Sequence, residues 1–336
     1  MKFTLIICTY MRPGPLLTLL ESVQNQSVHP DEILVIDGSG NNETQQAIAK
    51  NTFKNLRYFL VPAEHRGLTR QRNFGISLTH PEHEFIAFLD DDTVLMPDYF
   101  EHLRNTFAQN PDITGVGGIA VNENRWELQQ PGILYNPKKS YSFDGYVYKE
   151  SQRNIVRNYL GLQSDLGPGM LPDFFHGRTC GFPLTGKIYD AHLLIGLSFA
   201  FRRIVFENIS FSKYFEGYGL YEDADFCIRA LQFGRNVINT KVQLNHFHNP
   251  SGRPNHYRYG KMVVRNGWYV WRVKNPNPSF RTRIKWNVIT LLLALIRCSN
   301  ILNTKETKAA FQESMGRFSG WLILIFNKPI HYDGKN

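Results

Sequence analysis

Over the first 120 residues, apolar runs alternate with segments whose apolar positions recur every three or four residues. "KFTLIICT", "DEILVIDGSG", "LRYFLVP", "EFIAFLDDD" and "DITGVGGIAV" read as strands that are apolar almost throughout. Between them, "PGPLLTLLESVQNQ" places Leu16, Leu19, Leu20 and Val23 on one helical face, with Pro13 near its start. "NETQQAIAKN", "GLTRQRNFGISLTH" and "PDYFEHLRNTFAQN" supply the next helices. Continuous apolar strands separated by helices imply an α/β chain of βαβ units. Its central sheet is mostly parallel, Rossmann-like and flanked by helices. Right-handed crossovers bring the strand C-termini to one edge, where open α/β sheets bind ligands. Those ends carry Thr9 to Arg12, Asp37 to Gly40, and Asp90 to Asp92.

Residues 122–180 break this rhythm. They are rich in aromatic, Pro, Gly and basic residues without a period, and read as an insertion or a set of loops. Regularity returns with "DAHLLIGLSFAFRR". It continues with a helix in "YEDADFCIRALQFG", whose Phe226, Ile228 and Leu231 mark a partly buried face. "VINTKVQLNHFHN" reads as short strands, and basic helices follow from about Tyr257.

Composition narrows the options. Of 336 residues, 42% are hydrophobic and 20% charged, enough for a sizeable core and unlike a disordered chain. The net charge of +9 and pI near 9.3 point to an anionic partner. Cys8, Cys180, Cys227 and Cys298 are too scattered for a zinc site or a disulfide framework, so reduced thiols in the cytosol are expected. The apolar run at the N-terminus ends at Cys8 and reads as a first strand rather than a leader. "WNVITLLLALIRC" is too short to span a bilayer.

The candidate chemistry begins with "FIAFLDDDTVL". On extended backbone Asp90 and Asp92 share one side and Asp91 faces the other, so the pair offers a hard oxygen site for Mg²⁺ or Mn²⁺. A solvated acidic turn is the plain alternative. In "YEDADFCIRAL", Glu222 and Asp223 open a helix. They either compensate its dipole or provide a general base, and Gly217 and Gly219 just before them fit a tightly turning loop. His246 and His248 are spaced to share a face as metal ligands. Arg66, Arg70 and Arg72 surround a helix start, as phosphate binding would require, or form a solvated basic face. "GFPLTGKI" has Ile where a phosphate-binding loop needs Ser or Thr, and no GxGxxG follows the first strand. No motif supports nucleic-acid binding.

Taken in order, "IICTYMR", "LVIDGSG", "GLTRQRNFG", "FLDDDT", "GLSFAFRR", "GYGLYEDADFCIRAL" and "LNHFHNPSGR" resemble the family-2 glycosyltransferases, which have the GT-A fold. The resemblance covers about residues 1–255. It implies a catalytic domain over 1–255: a nucleotide-binding half (1–120) and an acceptor half (121–255) carrying the insertion 122–195. The basic C-terminal helical region is then 256–336. It implies that Thr9, Tyr10 and Arg12 contact the nucleotide, that Asp37 binds the base with Ser39 beside it, and that Gly67, Arg70 and Asn73 form the next nucleotide-side motif. Asp90 and Asp91 fall on the nucleotide-sugar side, with Asp92 and His246 as metal ligands and His248 as the fallback. Asp223 is implied as catalytic base, with Glu222 as its acceptor-side neighbour. Two departures stand out: Met11 where many members have Asn, and a 122–195 segment that matches nothing closely.

The activity implied is inverting, metal-dependent transfer (Mn²⁺ or Mg²⁺) from a UDP- or dTDP-sugar to a hydroxyl of a glycan, polysaccharide or lipid-linked acceptor in cell-envelope polysaccharide synthesis. A sugar nucleotidyltransferase and an inactive glycan- or lipid-binding relative are the competing readings. A cytoplasmic location is expected, with peripheral contact on the inner face of the membrane through Trp268, Trp271, Trp286, Trp321, Arg281, Arg283 and Lys285.

Overall fold

The computed structural model describes residues 1–178, 180–248, 255–302 and 307–330. Asn249 to Arg253 of the last motif, and the predicted start of the final helix at 304–306, lie outside them.

The first 124 residues follow the pattern. They form β1 (Phe3–Thr9), α1 (Pro13–Gln24), β2 (Glu32–Asp37), α2 (Glu43–Ala49), β3 (Leu56–Leu60), α3 (Leu68–Ser77), β4 (Phe85–Asp90), β5 (Thr93–Leu95), α4 (Tyr99–Gln109) and β6 (Ile113–Ala120). The segment predicted as loops contains β7 (Trp126–Leu128), β8 (Ser140–Phe143), β9 (Tyr146–Lys149) and α5 (Gln152–Tyr159). Then come β10 (Ile188–Asp190), β11 (Ser198–Arg202), α6 (Arg203–Asn208), α7 (Glu222–Ala230), β12 (Arg235–His246), α8 (His256–Lys274), α9 (Phe280–Ser299) and α10 (Thr307–Phe326).

Among the described residues, nine strands make the main sheet in the order β10-β12-β6-β11-β4-β1-β2-β3, with β5 paired to β12. β1 runs parallel to β2 and β4; β11 is antiparallel to both β4 and β6, so β6 runs with β4. Helices cover both faces, which is why β1, β2 and β4 are buried nearly end to end. α1 buries the four residues its period predicts. Phe3 and Phe85 stack at 4.7 Å in the core between β1 and β4.

Register places the polar strand ends together. Thr9 lies opposite Asp37, and Cys8 opposite Asp90. The stretch predicted as short strands is one twelve-residue strand, β12. Its pairing with β6 shifts between Ile238 and Gln243, and beyond that shift its end pairs with β5, setting His246 opposite Thr93. The polar residues at the shift hide a strand that the period alone divides.

The described parts of Met1–Asn124 and Leu184–Gly252 form one compact unit, built on this sheet. Those of Arg125–Pro183 and Arg253–His331 form a second. The sequence puts the boundary at 255/256, whereas by contacts 125–183 groups with the C-terminal helices. Within the second unit, β7-β9-β8 is an antiparallel sheet. Trp126 packs on Tyr141, Phe143 and Tyr148, and Arg178 stacks on Tyr141 while pairing with Glu150. Strands of three or four residues are too short to show a period, so this sheet escapes sequence reading.

Candidate active site

β4 ends at Asp90, and Asp91 and Asp92 form the turn that leads into β5. Asp91 turns to β1, accepting from Thr9 Oγ1 at 2.6 Å and Arg12 Nη1 at 3.0 Å. Asp92 also takes Arg12 Nη1, at 3.2 Å, and lies 3.4 Å from His246 Nε2. Oxygens of Asp90 and Asp92 and a ring nitrogen of His246 all lie within 4.8 Å of one another. Two hard carboxylates and one imidazole suit Mn²⁺ chemically, and Mg²⁺ less completely. His248 is displaced from this set and pairs with Glu123, 3.1 Å from its carboxylate. Glu123 also holds His246 Nδ1 at 2.7 Å, which orients the other ring nitrogen toward Asp92.

The charges are crowded. Burial drives the Asp90 carboxyl up to about 7 against the pull of Arg72, although 39% of the side chain is open to solvent, and that access moderates the rise. Burial also raises Asp91, opposed by Thr9 and Arg12. Asp92, helped by Glu123, holds His246 up at about 9. A cation among these groups would relieve the carboxylate repulsion.

The β1 and β2 ends form the second part. Asp37 is fully buried. One of its oxygens accepts from the Ser39 N–H at 2.8 Å and from the Ser39 hydroxyl, and the other accepts from Tyr58 OH at 2.7 Å. Ser39 Oγ in turn accepts from Met11 N, fixing the loop that exposes Tyr10. Met11 has φ 56°, the left-handed region in which Asn is more at ease. Met11→Asn is therefore expected to raise unfolding free energy by about 0.5–1 kcal/mol, measured by urea titration.

The third part is α7. Gly217 and Gly219 adopt positive φ, as predicted, and so does Tyr221 immediately before the helix. Gly67, at φ 108°, meets this loop closely: a Cβ there would sit 3.2 Å from Gly217 N. Asp223 accepts from Gly196 N at 2.9 Å and from Ala224 N at 2.8 Å. Glu222 is buried and takes Arg72 Nη1 at 2.6 Å; its other oxygen has no hydrogen-bond partner among the described residues. Burial lifts Glu222 to about 8 despite Arg72.

Several sequence expectations change here. Arg72 is not a solvated phosphate ligand. It is 2% exposed, joins Glu222 to Asp90 (3.7 Å) and also donates to Gly196 O. Arg70 pairs with Glu216, and the Asn73 amide is engaged on both atoms by the Phe211 backbone. Both thus brace α3 against residues 211–216. Sequence reasoning missed Glu123, Tyr58 and Gly196. A Cβ on Gly196 would stand 3.2 Å from Arg72 Nη2, 3.3 Å from Glu222 Oε1 and 3.4 Å from Asp223 Cβ. The one local signal was a glycine just before a predicted strand.

A sequence profile described as Glycosyl transferase family 2 matches residues 4–162. The glucosyl-dolichyl phosphate glucuronosyltransferase of Haloferax volcanii is 31% identical over 177 residues, 49% of this chain and 54% of that protein. The putative glycosyltransferase EpsH of Bacillus subtilis is 32% identical over 252 residues, 73% of this chain and 60% of that one. The chain thus spans little more than half the length of these curated relatives. Among solved structures, mannosyltransferase PcManGT of Pyrobaculum calidifontis, in complex with GDP-Man and Mn²⁺, superposes with a TM-score of 0.54 at 13% identity. That match covers 98% of this chain and 88% of that one. At such identity the likeness establishes a shared fold, the GT-A arrangement expected from the motifs.

Proposed function

We propose, from the match of residues 4–162 to the glycosyl transferase family 2 profile and the likeness to EpsH, that the chain is an inverting glycosyltransferase of that family. It moves a sugar from a UDP- or dTDP-sugar to a hydroxyl of a glycan, polysaccharide or lipid-linked acceptor. One observation carries the reading. The Asp90–Asp92–His246 cluster at the end of β4 is joined by Arg72 to the Glu222–Asp223 pair at the start of α7.

Asp92 and His246, with Asp90 beside them, would hold Mn²⁺ or Mg²⁺. Bound there, the cation supplies positive charge against the leaving diphosphate. The β1 loop, with Tyr10 and Arg12, lies at the same strand edge as Asp37 and Ser39 and forms the nucleotide side. Asp223 takes the proton of the acceptor hydroxyl. The acceptor oxygen bonds the anomeric carbon from the face opposite the diphosphate, and the carbon–oxygen bond to that diphosphate breaks, inverting the centre. Arg72 keeps Glu222 in place beside this base. A leaving group stabilised by charge needs no second carboxylic acid, unlike the pair used in glycoside hydrolysis.

The test is a panel of nucleotide-sugars with Mn²⁺. Slow release of nucleoside diphosphate is expected from a UDP- or dTDP-sugar, falling roughly 100-fold or more with EDTA and returning with excess Mn²⁺. The matching diphosphate raises apparent stability by about 2.7 kcal/mol at a hundred times its Kd. Formation of nucleoside triphosphate from pyrophosphate would identify a nucleotidyltransferase instead. Silence in both assays across the panel would leave a binding protein.

A further inference from the structure

The C-terminal helices carry apolar side chains that stay exposed among the described residues. On α9, Phe280, Ile284, Val288 and Leu295 are 44–77% exposed and fall within a narrow arc at 100° per residue. On α10, Phe311, Leu322 and Phe326 are 52–90% exposed and form a second such stripe. The helices pair antiparallel: Ser314 Oγ donates to Ala294 O, Trp321 Nε1 to Asn287 Oδ1, and Arg297 Nε to Glu313. Each stripe lies about a quarter-turn from its helix's contact with the other, and in an antiparallel pair both then emerge on the same side. The result is one continuous apolar face.

Its surroundings say what covers it. Among the described residues from 255 onward there are twelve Lys and Arg and one carboxylate, Glu313. Glu313 is buried between Arg297 and Arg317. Among the described residues from 255 onward there is thus no exposed acid, and Arg281 and Arg283 flank the α9 stripe while Lys308 sits beside that of α10. No described helix is long and apolar enough to cross a membrane. Trp271 and Trp286, which the sequence assigns to the headgroup level, are buried and stacked on each other at 5.0 Å, and Lys285 lies over Phe174. These two tryptophans are core, Trp268 and Trp321 are half-buried, and the aliphatic and Phe stripes are the exposed apolar groups. We propose that the α9–α10 face docks in plane on an anionic lipid bilayer, with the stripes in the acyl boundary and the flanking Arg and Lys at lipid phosphates.

The test uses the full chain, needs no turnover and so is separate from the transfer reading. The chain is expected to co-sediment with phosphatidylcholine vesicles containing phosphatidylglycerol and far less with phosphatidylcholine alone. Ile284→Gln with Leu322→Gln should weaken binding roughly tenfold or more. Arg281→Glu with Lys308→Glu should weaken it roughly fivefold or more per residue. Both variants change exposed positions, and an unaltered thermal midpoint establishes that they fold. Failure to bind anionic vesicles, or equal binding to neutral ones, overturns the proposal. So does a wild-type dimer in light scattering that the Ile284→Gln and Leu322→Gln variant returns to monomer, since a second copy would then cover the face.

Discussion

Asp223→Asn is expected to lower sugar transfer by about 10²–10⁴-fold, the usual contribution of a positioned general base. Asn keeps the size of the side chain and can still accept one of the two N–H bonds from Gly196 and Ala224. The first turn of α7 therefore survives, and what disappears is a carboxylate able to take a proton. Because the proposed mechanism gives Asp223 the acceptor proton and leaves the donor to the β1 loop and the strand edge at Asp37, donor affinity and the diphosphate-induced thermal shift should stay within about twofold. The loss then falls on kcat rather than on donor KM. Glu222→Gln serves as the contrast: it keeps an acceptor for Arg72 and should cost less turnover. An Asp223→Asn enzyme with near-normal kcat would take the base role from this residue.

Much of this site could be read before any coordinates. Strands β1, β2 and β4 are apolar throughout because helices cover both faces of the sheet, so their polar ends stand out in the sequence. Asp90 and Asp92 do come together as the i, i+2 reading expects, although β4 ends at Asp90 and the turn into β5, rather than extended chain, carries Asp92 there. His246 reaches them only because β12 crosses a register shift and ends beside β5, a long-range fact that no local pattern encodes. Arg72 was legible as a cation but not as a buried one. Its burial comes from Phe88, Phe199 and Phe211, which lie up to 139 positions away and whose rings it faces at 4.9–5.7 Å. Glu123 and Gly196 sit in stretches without a period, and their meaning depends on neighbours brought in by folding.

Arg72→Met is expected to destabilise the protein by about 3–5 kcal/mol at pH 9, the cost of leaving one partner of a buried ion pair behind. Met fits among the three phenylalanines, so the loss is electrostatic rather than a cavity. Lys would not replace the planar guanidinium, which serves Glu222 and Gly196 O together. The pH dependence identifies the cause. Burial holds folded Glu222 at about 8, above its unfolded value, so between the ordinary carboxylate range and about 8 the native state binds more protons than the unfolded chain. Stability from this group therefore falls as pH rises through that window. Without Arg72 the carboxyl is pushed further up, stays neutral at pH 6 and becomes costly only when forced to ionise. The deficit of Arg72→Met should accordingly shrink by roughly half or more at pH 6. Adding Glu222→Gln should recover much of the remainder at pH 9, read as a coupling energy from the four-variant cycle in urea. A deficit of the same size at both pH values, untouched by Glu222→Gln, would mean that Arg72 acts by packing alone and that its charge between Asp90 and Glu222 is incidental.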